Sequence, residues 1–320
     1  MMTRIIGTGS CAGESIVTNE DLAQIVETSD EWIRTRTGIR ERHLTMELGT
    51  SGMAAEASMQ ACENAGIRPE ELDLILLATS TPEYCFPNGA CQIQEKIGAV
   101  NAAAFDISAA CTGFVFALQT AHSFLVSGAF RTILVVGADD LSKTVDWKDR
   151  STCVLFGDGA GAVVVKGDEK GSFHGIMKAD GSRSQVLTCR ARTEGNFRNG
   201  KTPELGYLHM DGQEVFKFAV KKVPECISQL LEQQQVKKEE IRYYILHQAN
   251  ERIIESVAKR LKEPMEKFPM NIQQYGNTSA ATIPILLDEM NRAGKLNRGD
   301  QIVLSGFGGG LTWGAILMEW

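Results

Sequence analysis

Cys111 stands apart from the other seven cysteines of the chain, Cys11, Cys62, Cys85, Cys91, Cys153, Cys189 and Cys226. It sits in Ser108-Ala109-Ala110-Cys111-Thr112-Gly113, just after a strand-like stretch and where a long apolar helix should begin. Free backbone N–H groups and the helix dipole at such a start favour a thiolate. Small neighbours leave room for a substrate, and a thiolate attacks without a strong base beside it. From local sequence alone, a packed core cysteine remains the commoner reading. Two distant residues change the balance. His247 ends a strand, ahead of Gln248-Ala249-Asn250, and Asn277 ends a loop at the start of a second buried helix. A lone histidine is usually structural and a Gly-Asn pair is usually a turn. Together with Cys111 they make a thiol nucleophile with two neutral hydrogen-bond donors. The run Gly306-Phe307-Gly308-Gly309-Gly310 must turn a hairpin, yet a hairpin needs fewer glycines. A bend with an N–H pointing into a site would supply an oxyanion donor.

The positioning elements follow an α/β rhythm. Strands are expected at 71–79, 103–108, 131–137 and 160–166, with a helix at about 89–97 capped by Asn88 and closed by Gly98. A helix from Cys111 to Ser127 stops at Gly128 and is apolar nearly all round, so it should be buried. The order then repeats. Strand 241–247 leads to a helix near 251–262 behind Asn250, then a short strand before Tyr275-Gly276-Asn277-Thr278. A helix follows to about Arg292, with Pro284 expected to kink it. Strands 301–306 and 311–319 close the chain. Leu77 to Cys111 and Leu246 to Thr278 are 34 and 32 residues; Cys111 to Leu134 and Thr278 to Val303 are 23 and 25. The agreement predicts two duplicated halves, 1–170 and 171–320, the first carrying Cys111 and the second His247 and Asn277. In that scheme Asn277 takes nearly the place of Cys111.

Composition narrows the setting. The 320 residues are 43% hydrophobic and 23% charged, which excludes a disordered chain. A net charge of -7 disfavours broad nucleic-acid binding. No signal-peptide stretch opens the chain and no uninterrupted apolar run reaches the ~18 residues of a membrane span. The cysteines are scattered without a C-x-x-C pair, as expected of free thiols in the cytoplasm.

Six motifs occur in register: Ala110-Cys111-Thr112-Gly113-Phe114, Phe156-Gly157-Asp158-Gly159-Ala160-Gly161-Ala162, Glu214-Val215-Phe216-Lys217, His247-Gln248-Ala249-Asn250, Gly276-Asn277-Thr278-Ser279-Ala280-Ala281 and Gly306-Phe307-Gly308-Gly309-Gly310. Over essentially the whole chain they resemble the β-ketoacyl-acyl-carrier-protein synthase III family of the thiolase superfamily. The resemblance implies a five-layered αβαβα fold, a homodimer and no cofactor or metal. It implies initiation of type II fatty-acid synthesis, in which a short acyl-CoA condenses with malonyl-acyl carrier protein through an acyl-cysteine. Cys111, His247 and Asn277 would be the catalytic triad, with the N–H groups of Cys111 and Gly309 as oxyanion hole.

The resemblance also supplies contacts. Trp32 and Arg36, four apart on a helix opened by Ser29 and closed by Gly38, match the family's CoA nucleotide site together with Arg150, and Asn250 would face the pantetheine arm. Phe86 would reach across the dimer to close an acyl pocket lined by Leu141, Phe156, Leu208 and Met210. Arg252, Lys259 and Arg260 on one helix stripe, with Lys217, would dock the acidic carrier. Solvated helix faces and simple packing account for the same residues more blandly. The early Gly7-Thr8-Gly9-Ser10-Cys11-Ala12-Gly13 lacks the proline common in the family, and Cys189 has no assigned place. Two further readings stay open: a related acyltransferase of secondary metabolism, and a non-catalytic binder of acyl-CoA or acyl carrier. Degradative thiolases use a second catalytic cysteine and elongating synthases two histidines, and neither pattern fits. Chalcone synthases share the Cys-His-Asn set in a longer chain.

Overall fold

The computed structural model describes residues 2–191, 193–202 and 204–320; Met1, Arg192 and Pro203 lie outside the described residues. Two sheets carry the architecture. The first has strand order β1 (Met2–Ala12), β7 (Asp158–Asp168), β6 (Thr132–Asp140), β4 (Leu74–Ala78) and β5 (Ala103–Ile107). The second runs β11 (Ile241–Leu246), β12 (Gln301–Gly308), β13 (Thr312–Glu319) and β8 (Phe173–Ala179). In both, a parallel join (β4 with β6, β11 with β12) is followed by two antiparallel joins, and the first sheet adds a second parallel join, β4 with β5. β7 ends at Asp168 and β8 begins at Phe173, so the chain crosses between the sheets over four residues.

Helices α5 (Gly113–Ser127) and α10 (Thr282–Arg292) lie between the sheets. α3 (Gly49–Ala65) and α4 (Gly89–Ile97) cover the far face of the first sheet; α7 (Gly212–Gln234) and α8 (Glu251–Leu261) cover that of the second. The result is five layers, αβαβα. The strand sequences explain it. In β4, Leu74, Leu76 and Ala78 join the central core while Ile75 and Leu77 join the outer one. In β12, Ile302 and Leu304 face the centre and Val303 and Phe307 face α7 and α8. Continuous apolar runs are what a sheet buried on both faces requires. The stretch Ala110–Ser127, the turn before α5 together with α5, is long and apolar enough to cross a membrane, but its Phe114, Val115, Ala117 and Leu118 are fully buried among the two sheets.

Smaller pieces frame the site. Ribbon β2 (Ser15–Thr18) with β3 (Glu41–Leu44) carries α1 (Asn19–Leu22) and α2 (Asp30–Thr37), which Ser29 caps through the Trp32 N–H and Gly38 closes. A single turn, α6 (Arg150–Cys153), and the ribbon β9 (Leu187–Cys189) with β10 (Leu208–Met210) complete that side. The glycines near the start pack β1 on α3, since a Cβ at Gly9 would stand 2.2 Å from the Ala57 carbonyl oxygen.

Two sequence expectations are corrected. The short strand before Tyr275 is a single helical turn, α9 (Ile272–Tyr275), in which the Asn271 carbonyl accepts from Gln274 and Tyr275. The second sheet therefore has no counterpart of β5; Asn277 instead makes an isolated bridge to Phe156 of the first half. Pro284 is the third residue of α10, inside the first turn, where proline is tolerated, so it opens the helix rather than kinking it.

Candidate active site

Each buried helix is preceded by one tight turn: Ala110–Thr112 before α5 and Ser279–Ala281 before α10. Ala110 (φ 46°) and Ser279 (φ 52°) are both in the left-handed region that non-glycine residues rarely occupy. The two turns are thus equivalent, and the match pairs Cys111 with Ala280. Asn277 precedes that place by three residues, which corrects the expected equivalence with Cys111. The turns meet reciprocally across the lobes. A Cβ at Gly137 of β6 would strike the Ala280 carbonyl oxygen at 2.3 Å, and one at Gly308 of β12 would stand 2.8 Å from the Cys111 nitrogen. Each sheet's glycine thus admits the other half's turn.

Cys111, His247 and Asn277 line one cavity of about 210 Å³, together with Gly308. Asn277 is buried; its side-chain oxygen accepts from the Ser279 N–H at 2.9 Å, which leaves Nδ2 as the free donor. His247 is buried with its ring edge-on to Phe307, and its Nδ1 lies 2.7 Å from the Thr282 hydroxyl. Burial pushes the imidazole down to about 3, so it is neutral. Gln248 holds the strand end by donating to the Leu246 carbonyl at 2.8 Å.

Cys111 is corrected in protonation state. Burial pushes its thiol up to about 12; the Ser279 hydroxyl opposes this and the Asp139 charge adds to it. The helix-start N–H groups do not outweigh the loss of water, so the resting residue is a thiol and acylation needs a proton acceptor. Asp139 is itself buried at the end of β6, accepting from the Ser80 N–H at 2.7 Å and the Thr81 hydroxyl at 2.9 Å. Burial raises its pKa, and those donors pull the other way.

Of the anticipated acyl-pocket residues, Phe156 and Met210 line the cavity. Leu141 and Leu208 belong to the same apolar cluster as Phe156 but do not line the cavity. Phe86 does not line the cavity of its own chain: it is 85% exposed. Gly309 lies just beyond Gly308, with its carbonyl held by the Thr312 hydroxyl at 3.0 Å. Sequence reasoning missed Leu187, Val215, Phe218, Ala249, Ile253 and Leu311 on the wall. The apolar stripe of α7 was the available signal for two of them, Val215 and Phe218.

The structure brings Trp32, Arg36 and Arg150 together. The Arg36 and Arg150 guanidinium carbons stand 4.8 and 4.9 Å from the indole centroid, and Arg150 donates to the Glu27 carbonyl at 2.7 Å. Asn250 lines the cavity, donates to the Arg36 carbonyl at 3.0 Å and caps α8 through the Arg252 N–H at 2.9 Å. Arg252 lies 5.8 Å from the ring centroid of Phe216, a cavity residue. Lys217 is exposed and paired with Glu214 at 2.9 Å. Lys259 and Arg260 are exposed in the last turn of α8, about 10 Å along the helix from Arg252. Cys189 is an exposed residue of the β9 ribbon, two places past Leu187. Among the described residues no group of three or more His, Cys, Asp or Glu is placed to hold a metal.

A cysteine, a neutral histidine and an amide at the meeting of two duplicated α/β halves define a thiolase-fold condensing enzyme. Residues 105–181 match the family described as 3-oxoacyl-[acyl-carrier-protein (ACP)] synthase III, and residues 231–320 match its C-terminal counterpart. The chain is 52% identical over 318 residues to the beta-ketoacyl-[acyl-carrier-protein] synthase III of Clostridium acetobutylicum, covering 99% of this chain and 98% of the relative. The crystal structure of 3-oxoacyl-[acyl-carrier-protein] synthase III from Aquifex aeolicus superposes with a TM-score of 0.92 at 49% identity, covering 99% of this chain and all of that one. The priming beta-ketosynthase of the R1128 polyketide pathway superposes at 0.91 with 33% identity, covering 99% of this chain and 96% of that one. The chain belongs to the β-ketoacyl-acyl-carrier-protein synthase III family and is an acyltransferase.

Proposed function

We propose that this enzyme starts type II fatty-acid synthesis by condensing a short acyl group from CoA with malonyl-acyl carrier protein. In the first step Cys111 sulfur attacks the acyl-CoA carbonyl, the CoA thioester bond breaks, and the thiol proton passes by way of His247 to the departing CoA sulfur. The tetrahedral oxyanion is held by the Cys111 and Gly309 N–H groups. In the second step malonyl loses carbon dioxide. The enolate oxygen takes hydrogen bonds from Asn277 Nδ2 and His247, the carbanion attacks the acyl-Cys111 carbonyl, the carbon–sulfur bond breaks, and Cys111 leaves as a thiolate that takes up a proton from solvent. One observation carries the reading: Cys111, His247 and Asn277 share one cavity, and Asn250 of the same wall bonds the carbonyl of Arg36, whose guanidinium lies over Trp32.

The finer assignments rest on the same frame. Trp32, Arg36 and Arg150 hold the CoA nucleotide, with one guanidinium leaving the indole face to admit the adenine, and Asn250 meets the pantetheine. The acyl chain lies against Phe156 and Met210, with Leu141 and Leu208 behind. Phe86 completes that wall from the second copy of a homodimer. Arg252 docks the carrier at the mouth, with Lys217, Lys259 and Arg260 extending the basic face. The catalytic halves are 1–170 and 171–320, and the reaction uses no cofactor in the cytoplasm. Release of labelled carbon dioxide from malonyl-carrier protein across acyl-CoA primers tests the reading, with intact mass showing one acyl group on Cys111. No adduct on Cys111 with any primer overturns it.

A further inference from the structure

The Thr282 hydroxyl has one hydrogen and two acceptors within reach. Its oxygen is 2.7 Å from His247 Nδ1 and 3.0 Å from the Ser279 carbonyl oxygen, and both contacts are buried. A carbonyl cannot donate, so a bond to Ser279 takes the hydroxyl hydrogen. The threonine oxygen is then only an acceptor toward His247, and Nδ1 must carry the ring hydrogen. We propose that Thr282 is a positioning residue that holds resting His247 as its Nδ1–H tautomer and leaves the Nε2 lone pair to the cavity.

This rests on the condensing-enzyme reading and deepens it. Cys111 is a thiol at rest, so acyl transfer needs a base in the cavity, and a bare Nε2 is that base. The proton passes from Cys111 sulfur to Nε2 as the sulfur–acyl bond forms, then from Nε2 to the CoA sulfur as the CoA thioester breaks; His247 ends as it began. The opposite tautomer would present an N–H to the thiol and could accept nothing. The same hydroxyl can serve the condensation step. Condensation needs the other tautomer: the ring takes a proton from water at Nε2 and releases the one at Nδ1 to water before malonyl binds, and the hydroxyl, turned from Ser279 onto Nδ1, then donates there while Nε2–H bonds the enolate oxygen. Thr282 begins α10, directly after the turn that fixes Asn277 through the Ser279 N–H. One turn therefore orients both cavity donors.

Nitrogen-15 spectra of the histidine-labelled enzyme, with His247 assigned by its loss in His247→Asn, read the tautomer. The expected result is a protonated Nδ1 and an unprotonated Nε2 at rest. Thr282→Val should lower the acetyl-CoA acylation rate at least about tenfold, within the range a general base supplies, with KM for acetyl-CoA unchanged. Thr282→Ser should restore the rate to within about threefold. Nε2–H in the resting enzyme, or full acylation in Thr282→Val, overturns the proposal. The wild-type spectrum decides it even where the valine variant does not fold. Absence of any wild-type acyl adduct would instead overturn the condensing reading itself.

Discussion

The Ser279 N–H donates to the Asn277 side-chain oxygen at 2.9 Å, so the amide can face the cavity only with its nitrogen. The lock comes from the tight turn before α10, where Ser279 sits at φ 52°. It gives Asn277 a donor's role, which in the proposed mechanism serves decarboxylation and not acylation. Asn277→Ala should form the acyl-Cys111 adduct at near-normal rate yet release carbon dioxide roughly 10²–10³ times more slowly, the usual cost of one lost oxyanion donor. Asn277→Asp should fail alike, because an ionised carboxylate accepts from Ser279 but offers no hydrogen. Intact mass and labelled carbon dioxide separate the steps; equal loss in both would remove the division of labour.

The resting thiol has a direct consequence for reactivity. With burial pushing Cys111 up to about 12, alkylation by iodoacetamide should keep accelerating as pH rises past 9. A cysteine activated as a standing thiolate would plateau near neutrality. Mass spectrometry of the Cys111 peptide over pH 6–10 checks this, and a plateau below pH 8 would mean that the helix start prevails over burial after all.

Stability should fall in weak acid. Between the ordinary histidine value of 6.5 and about 3, an unfolded chain protonates His247 and the folded chain does not. Unfolding then takes up a proton, and stability drops as pH falls through that window, by on the order of 1 kcal/mol per pH unit. His122 and His174, also lowered by burial, act in the same sense. Asp158 acts in the other: burial, then the charge of Asp140, pushes it up to about 6, so between 6 and 3.8 the folded chain holds the extra proton. Asp139, also raised by burial, acts with Asp158, so the His247 contribution is read as the difference between wild type and variant just below pH 6.5. His247→Asn should flatten the decline in urea midpoint there, without abolishing it; an unchanged slope contradicts a neutral His247.

Legibility in the sequence followed the strength of local signals. α4 begins and ends where Asn88 and Gly98 say it should, and α2 where Ser29 and Gly38 do, because caps are local chemistry. The buried strands read correctly because sheets covered on both faces need continuous apolar runs. The triad's shared cavity was legible through the repeated strand–helix order and the motifs together, not through any one residue. What failed was set by distant packing. Asn277 bridges to Phe156 rather than extending a strand, and nothing in residues 268–277 announces that partner. Cys111 lost its expected thiolate because burial depends on the opposing lobe. The wall residues Leu187 and Leu311 come from a ribbon and a bend that carry no motif.

Two grips adjoin the cavity residue Asn250, one through Arg36 and one through Arg252, and they should separate kinetically. Trp32 of α2 has the guanidiniums of Arg36 and Arg150 over its ring, while Arg252 of α8 lies over Phe216. Asn250 ties the two helices together by its bond to the Arg36 carbonyl, so each grip is held in place without the other's side chain. Stacking a base on an indole contributes roughly 1–3 kcal/mol, so Trp32→Ala should raise KM for acyl-CoA at least about fivefold and leave KM for malonyl-carrier protein alone. Arg252→Glu replaces an exposed cation with an anion beside an acidic partner. That change should raise KM for the carrier substrate severalfold, more at low salt than at high, and leave acetyl-CoA acylation intact. Steady-state kinetics with each substrate varied in turn, at two ionic strengths, reads both. If Trp32→Ala moves both KM values together, the indole supports the mouth as a whole. If Arg252→Glu leaves the carrier KM unchanged, the carrier docks elsewhere on the surface.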